Sequence, residues 1–186
     1  FGQDGPYSSI PGHDLNYLAA GGAAALIGKN DGPPTVPFNL MGDYAGGSMQ
    51  ALVGILAALH HREKTGKGQY VDISMTDGVT YMLAATASDF FMRGTIPERE
   101  KHLLSGSTPA YNVYETKDGK YITIGCLEPH FWTNLCNAVG KEEFIPIEFD
   151  EKSFEKIFSE FTQIFLTKTR DEWFELFKDK NIAVSK

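Results

Sequence analysis

Two short motifs, each ending a loop and opening an apolar helix, constrain this chain more than any other feature. The first motif, GHDLNY, occupies residues 12–17 and leads into an apolar run that ends at residue 27. The second motif, GDYAGGSM, occupies residues 42–49 and is followed by apolar positions at helical spacing. We therefore expect the fold to hold His13 and Asp43 at two helix starts.

The first half of the chain alternates between helical and strand patterns. We predict a helix over 15–27 with Asp14 as its N-cap, and a second helix from Ser48 to about residue 64, stopped by Gly66. Residues 69–75 alternate and contain β-branched side chains, which predicts a strand, and a helix should follow over 76–93. This order of helix, strand and helix predicts an α/β fold.

Composition changes abruptly after residue 93, where glycine, proline and charged residues predict a linker over 94–107. We therefore divide the chain into a domain at 1–93 and a second, α+β domain at 108–186 that is incomplete at its C-terminal end. In the second domain, Asp118-Gly119 between two alternating runs predicts a hairpin of strands 110–115 and 120–125. Helices are predicted over 129–139, 152–166 and 171–177, the last capped by Thr169, and residues 181–184 are strand-like.

Charge and composition exclude several classes of function. The chain has 24 acidic and 17 basic residues and a net charge of −7, which disfavours nucleic acids and anionic membranes. Cys126 and Cys136 lack the spacing of a zinc site and are expected to be reduced and structural, as in an intracellular protein. No apolar segment is long enough to span a bilayer and no leader opens the chain, so we expect a soluble protein.

Both ends of the sequence have the character of internal segments. Phe1 opens a loop-like run, and Lys186 follows a strand-like one. We expect the sequence to be the interior of a longer protein and to expose apolar surface that the intact protein buries.

His13 has two interpretations. It could be a surface histidine before a helix, or a base placed beside the free N–H groups of that helix start, where an enolate oxygen would be stabilised. Gly12 favours the second interpretation, because glycine permits close approach of the backbone.

Asp43 also has two interpretations. Aspartate before an apolar helix most often caps it. The Gly46-Gly47 pair argues for more, because two glycines at a helix start lower its stability unless the backbone must lie close to a ligand or another chain.

The remaining polar candidates are weaker. Glu128 precedes a predicted helix, where a carboxylate commonly serves only to favour the helix start. His60 and His61 fall at the polar end of a helix and are expected to be solvated, and no histidine has partners for a metal site.

Taken together, these segments resemble the α-methylacyl-CoA racemases of the family III CoA-transferase superfamily. The resemblance is collinear, covers nearly the whole chain and amounts to about half of a full-length member. Its segments are residues 2–7, 12–14, 42–47, 65–72 and 121–131.

The resemblance implies roles for individual residues. His13 and Asp43 would be two catalytic bases on opposite faces of the substrate, and Glu128 would hydrogen-bond to the histidine and tune it. The Asp14 backbone N–H would meet the thioester oxygen of an acyl-CoA. The implied substrate-binding segment consists of Gly12, His13, Asp14, Leu15, Asn16 and Tyr17.

The resemblance also implies an architecture: a Rossmann-like large domain, here partial, and a small α+β domain, in an interlocked homodimer. Residues 1–93 would belong to the large domain and 108–186 to the small one. The site would form between the large domain of one subunit and the small domain of the other, so Glu128 would approach His13 from a partner chain.

Three functions remain open from the sequence. The first is a racemase or epimerase of fatty acid metabolism that inverts the α-carbon of 2-methyl-branched acyl-CoA thioesters by two-base proton transfer, without metal or cofactor. The second is a CoA transferase in which Asp43 is a nucleophile. The third is an acyl-CoA-binding subunit without turnover. The expected compartment is the cytoplasm of a prokaryote, or the mitochondrion or peroxisome of a eukaryote.

Overall fold

The computed structural model describes residues 1–186, which form two compact units, Phe1–Glu100 and Lys101–Lys186. The division falls inside the stretch 94–107 that sequence composition marks as a linker. The assignment of the units to a large and a small domain stays a prediction.

The first unit is almost entirely helical. It contains α1 (Asp14–Ala20), a 3₁₀ turn (Ala23–Leu26), a π-helix (Leu40–Met49), α2 (Gln50–Thr65), α3 (Met75–Met82) and α4 (Ala84–Arg93). Helix α2 ends as predicted at Gly66, which adopts the left-handed conformation with φ of 71°.

The predicted helix over 15–27 is wrong in length, because α1 stops at Ala20. Gly22 has φ of 89°, which interrupts the helix, and a short 3₁₀ turn follows. A Cβ on Gly21 would lie 2.8 Å from the Val79 side chain, so glycine is required where α3 packs against the end of α1. Asp14 is the first helical residue, and the N-cap is His13.

The strand predicted over 69–75 is also wrong, because residues 69–74 form no ladder and Tyr70 is 82% exposed. A strand needs a hydrogen-bonded neighbour, and this unit contains none. Val71 instead packs on Gly54 of α2, where a Cβ would lie 2.7 Å from the Val71 side chain. The predicted helix over 76–93 is two helices, which meet at Leu83.

The core of the first unit is small. Its buried apolar residues are Leu18, Ala23, Ala24 and Val79. Helix α2 has no buried residue, although its apolar positions were predicted to form one side of a helix. Those exposed side chains are Met49, Leu52, Val53, Leu56 and Leu59.

The second unit is built on a three-stranded antiparallel sheet of β1 (Tyr111–Glu115), β2 (Tyr121–Gly125) and β3 (Val184–Ser185), in that order. The predicted hairpin is confirmed, with Glu115 paired to Tyr121 across the turn. Gly119 has φ of 68°, the conformation that a glycine in such a turn supplies.

Three helices cover this sheet and its surroundings: α5 (Pro129–Val139), α6 (Phe154–Phe165) and α7 (Arg170–Phe177). Short 3₁₀ turns lie at Leu103–Ser105, Glu142–Ile147 and Glu151–Ser153. The core is rich in aromatic rings whose polar atoms are satisfied. The indole N–H of Trp132 donates to the Phe144 carbonyl at 3.0 Å, and that of Trp173 donates to the Phe165 carbonyl at 2.9 Å.

None of these helices combines the length and the apolar character needed to cross a bilayer.

Candidate functional site

A π-helix carries Asp43, in its first turn. π-Helices are rare and are often found at functional sites. This one is ten residues long, and the Ser48 hydroxyl donates to the Asp43 carbonyl oxygen at 2.9 Å. The backbone of Asp43 is therefore held in a geometry that an ordinary helix would not give it.

The glycines of the second motif are explained by packing inside the unit. A Cβ on Gly46 would lie 2.8 Å from the Met75 carbonyl oxygen, and one on Gly47 would lie 2.9 Å from the Met75 side chain. The backbone at this glycine pair thus lies close to α3 of the same chain. The expectation that a ligand or another chain explains the pair is wrong, because α3 already occupies that space.

Asp14 joins the two motifs. Its side chain is buried, at 8% exposure, and its Oδ2 accepts a hydrogen bond from the Asp43 backbone N–H at 2.8 Å. Asp14 directly follows His13, so this bond ties the start of α1 to the π-helix. The structure therefore brings Asp43 next to the residue that follows His13.

The Asp43 side chain is half-buried, and its Oδ2 accepts a hydrogen bond from the Asn39 side-chain amide at 3.0 Å. The interpretation of Asp43 as the cap of the next helix is wrong, because α2 begins at Gln50 with Met49 as its N-cap. Asn39 lies four residues before Asp43, and sequence reasoning missed it. The contact arises only because a π-helix begins at Leu40, and the sequence contains no sign of that helix.

His13 is exposed, and its backbone takes part in fixing the helix start. Its N–H donates to the Asn16 side chain at 3.0 Å, and its carbonyl accepts from the backbone N–H groups of Asn16 and Tyr17. The imidazole is thus placed on a well-defined backbone and is open to solvent.

The rest of the first motif packs on the N-terminal residues. The Tyr17 hydroxyl donates to the Gly12 carbonyl at 2.8 Å, and its ring contacts Phe1 edge-on at 4.7 Å between centroids. A Cβ on Gly12 would lie 3.0 Å from the Phe1 ring, which is a reason for glycine there without a ligand. Leu15 and Asn16 are exposed.

Glu128 lies in the second unit, between β2 and α5. It is the N-cap of α5, and its carbonyl accepts from the Trp132 N–H at 3.1 Å. Its side chain makes no capping hydrogen bond and is exposed. The carboxylate is therefore not occupied by the start of α5.

The structure reveals a second carboxyl group near Glu128 that was not identified from the sequence. Glu148 is buried, at 7% exposure, and its Oε1 has no hydrogen-bond partner. Burial, and then the negative charge of Glu128, raise the pKa of Glu148 above its usual value. No sequence pattern distinguishes Glu148 from the other acidic residues between α5 and α6.

The two cysteines are free and buried, as predicted. Burial raises the pKa of the Cys126 thiol to about 11 and that of Cys136 to about 12. Neither thiol is therefore a nucleophile at neutral pH.

No three His, Cys, Asp or Glu side chains are grouped so that they could hold a metal ion. His60 and His61 are exposed on the last turns of α2, as predicted. The chemical groups available around the two motifs are thus a held carboxylate and an exposed imidazole.

Comparison with known proteins identifies the family. The model of CoA-transferase family III matches residues 1–186. Alpha-methylacyl-CoA racemase of Mus musculus is 33% identical over 100% of this chain and 49% of its own length. Succinyl-CoA–D-citramalate CoA-transferase of Chloroflexus aurantiacus is 36% identical over 77% of this chain and 35% of its own length.

The fold is shared with solved structures. A CaiB/BaiF family protein from Brucella suis superposes on 100% of this chain with a TM-score of 0.74, at 24% identity, and this chain covers 50% of it. The helical first unit and the small antiparallel sheet are thus part of a larger α/β fold, which agrees with the predicted fold class. The chain spans about half the length of the racemase it matches. On the match over its whole length, the chain belongs to CoA-transferase family III.

Proposed function

We propose that the complete protein is a racemase that inverts the α-carbon of 2-methyl-branched acyl-CoA thioesters. The observation that carries the proposal is the hydrogen bond from the Asp43 N–H to Asp14, which holds the motif of Asp43 against the motif of His13. An imidazole and a carboxylate, two groups able to exchange protons, thus belong to two motifs that adjoin each other.

The chemistry is a 1,1-proton transfer. One base removes the proton at C2. The electron pair of that C–H bond forms the C=C bond of an enolate, and the π pair of the thioester carbonyl moves onto its oxygen. The other base delivers a proton to the opposite face of C2, which inverts the centre. The Asp43 carboxylate accepts or returns the proton on one face, and the His13 imidazole does so on the other. No redox step occurs, so the reaction needs no cofactor beyond the CoA that the substrate carries.

The state of the two side chains supports these roles. Asp43 is half-buried and receives a hydrogen bond from Asn39 on one carboxylate oxygen. His13 is exposed at an ordered helix start, where a substrate can reach its imidazole. We propose Glu128 as the group that hydrogen-bonds to this histidine, in the homodimer that the family resemblance implies.

The decisive experiment is proton exchange with the complete protein in deuterated water, using (2R)- or (2S)-2-methylacyl-CoA. The racemase incorporates deuterium at C2 and inverts the centre. Asp43→Asn and His13→Ala should both abolish inversion, because each removes the base on one face. Full turnover in His13→Ala would overturn the two-base mechanism.

A CoA transferase is the second candidate, because relatives at 36% identity carry that name. In that reaction the Asp43 carboxylate attacks the thioester carbonyl, CoA leaves as the thiolate, and a mixed anhydride remains on the aspartate. CoA passing to an added carboxylate acceptor, with no deuterium at C2, would establish it. Binding of acyl-CoA with neither reaction would show a non-catalytic subunit.

A further inference from the structure

We propose that the Asp14 side chain is a positioning residue for Asp43, a role separate from any contact of its backbone with substrate. The inference rests on the proposed function, because it concerns how one of the two proposed bases is held. Asp14 does not exchange protons with the substrate in this proposal. It acts only through the peptide of Asp43.

The geometry of the bond supports the role. Aspartate side chains are rarely buried unless they are paired, yet Asp14 is 8% exposed. Its Oδ2 meets the Asp43 N–H at 2.8 Å, the length of a strong hydrogen bond to a charged acceptor. The bond joins residues 29 positions apart, so it fixes tertiary structure and not a local turn.

The neighbouring glycine shows how tightly this carboxylate is placed. A Cβ on Gly42 would lie 2.6 Å from Asp14 Oδ2 and 3.0 Å from its Cγ. Gly42 has an ordinary backbone conformation, because its φ is not positive. The space that the Asp14 carboxylate occupies therefore requires glycine at position 42, before any demand from a ligand.

The position of Asp14 in the chain makes the bond relevant to both bases. Asp14 follows His13, which is the N-cap of α1, and it touches the residue that carries the proposed base on the π-helix. The Asn39 amide holds the other end of Asp43, at its carboxylate. Asp43 is thus fixed at its peptide by Asp14 and at its side chain by Asn39. A displacement of about 1 Å at a reacting group can cost about a hundredfold in rate.

The test compares Asp14→Ala and Asp14→Asn in the complete protein. The asparagine keeps an oxygen that can accept the Asp43 N–H, whereas the alanine does not. Asp31→Ala, at an exposed loop position, is the matched control. Two readouts are needed: hydrogen exchange at the Asp43 amide, and the kinetics of inversion and of deuterium incorporation at C2.

We expect the Asp43 amide to exchange at least about fivefold faster in Asp14→Ala, because its acceptor is lost. We expect kcat for inversion to fall about 10- to 100-fold with KM changed less than about threefold, since the base is displaced while binding is retained. Asp14→Asn should restore both quantities to within about fivefold of the wild type, and Asp31→Ala should change neither.

A second variant covers the case in which Asp14→Ala does not fold. Gly42→Ala should push the Asp14 carboxylate away from Asp43 and lower kcat in the same way. Combined with Asp14→Asn it should remain defective, because the asparagine occupies the same space. Gly42→Ala with unchanged kcat and unchanged Asp43 amide exchange would overturn the proposal.

The remaining outcomes separate the two proposals. An Asp14→Asn variant as inactive as Asp14→Ala, but with wild-type exchange at the Asp43 amide, would overturn the positioning role. The reaction would then need the charge or the proton of Asp14 and not the placement of Asp43. If the wild type incorporates no deuterium at C2, the racemase fails, and the Asp43 amide exchange alone decides the role of Asp14. Unchanged amide exchange in both Asp14 variants overturns the positioning role whatever the reaction is.

Discussion

Gly78 of α3 faces the peptide of Gly46 so closely that a Cβ on Gly78 would overlap the Gly46 carbonyl oxygen. Helix α3 therefore meets the π-helix of Asp43 backbone to backbone. No side chain lies between them at this point that could move aside. The placement of Asp43 in the fold consequently depends on a residue 35 positions away that has no chemical function of its own.

Gly78→Ala should lower the free energy of unfolding by about 1–3 kcal/mol, the usual effect of overpacking, because neither backbone can yield. The measurement is thermal and urea unfolding of the complete protein. Gly68→Ala is the control, since nothing lies within 4 Å of its Cβ position, and it should change stability little. If Gly78→Ala lowered the free energy of unfolding no more than Gly68→Ala, the prediction would be contradicted, because α3 and the π-helix could then move apart at little cost.

Asn39→Ala should lower kcat for inversion about tenfold, because the Asp43 carboxylate loses the amide that orients it. KM should change little, since Asn39 holds the base and not the substrate. Steady-state kinetics with both enantiomers would measure the two constants. Asn30→Ala, on an exposed loop, should behave as the wild type, and an equal loss there would argue against a specific role for Asn39.

Cys126 and Cys136 should resist alkylation in the folded protein at pH 8 and react after denaturation. Their pKa values are raised to about 11 and about 12 by burial, so the thiolate is scarce in the folded state. Timed labelling with iodoacetamide and mass spectrometry would check this. Fast modification of either thiol in the native protein would contradict the burial of these side chains.

The same pKa shifts predict how stability depends on alkaline pH. The folded thiols keep their protons at a pH where the unfolded thiols, with pKa near 8.5, have lost them. The stability that the protonated thiols contribute is therefore complete below about pH 8.5 and is lost as the pH rises toward the pKa values of the folded thiols. Replacing Cys136 by alanine should reduce this loss, as measured by urea unfolding from pH 8 to pH 10.

Glu148→Gln should stabilise the protein at pH 7 and have little effect near pH 4. The pKa of Glu148 is raised in the folded state. The stability that its protonated form contributes is therefore complete below the unfolded pKa of about 4.3 and is lost as the pH rises through the folded pKa. Glutamine does not ionise and avoids this loss. Urea unfolding at both pH values tests it, with exposed Glu115→Gln as the control. A destabilised variant at pH 7 would contradict the prediction.

Local features of the sequence predicted the second unit well. The Asp118-Gly119 turn was enough to place the hairpin of β1 and β2, because the left-handed backbone at Gly119 is a property of the turn itself. The cap of α7 was predicted in the same way. The Thr169 hydroxyl accepts from the Glu172 N–H at 3.3 Å, and the Glu172 carboxylate accepts from the Thr169 N–H at 2.8 Å.

Predictions for the first unit failed where neighbours in space overrule the local pattern. Residues 69–74 have the alternation of a strand but no partner strand, so the extended segment packs on α2 instead. Apolar spacing also gave no sign that a π-helix precedes α2, because its spacing is compatible with an ordinary helix. The glycines at 46 and 47 were recognised as unusual, but the helix that explains them was not.

The sequence by itself determined which residues are candidates: His13, Asp43 and Glu128 stand out from short motifs and from the family that those motifs resemble. It could not show that Asp14 and Asn39 hold Asp43 from two sides. A hydrogen bond between residues 29 positions apart leaves no periodic trace along the chain, because its geometry depends on how α1, the π-helix and α3 pack together. The tertiary structure alone decided that arrangement.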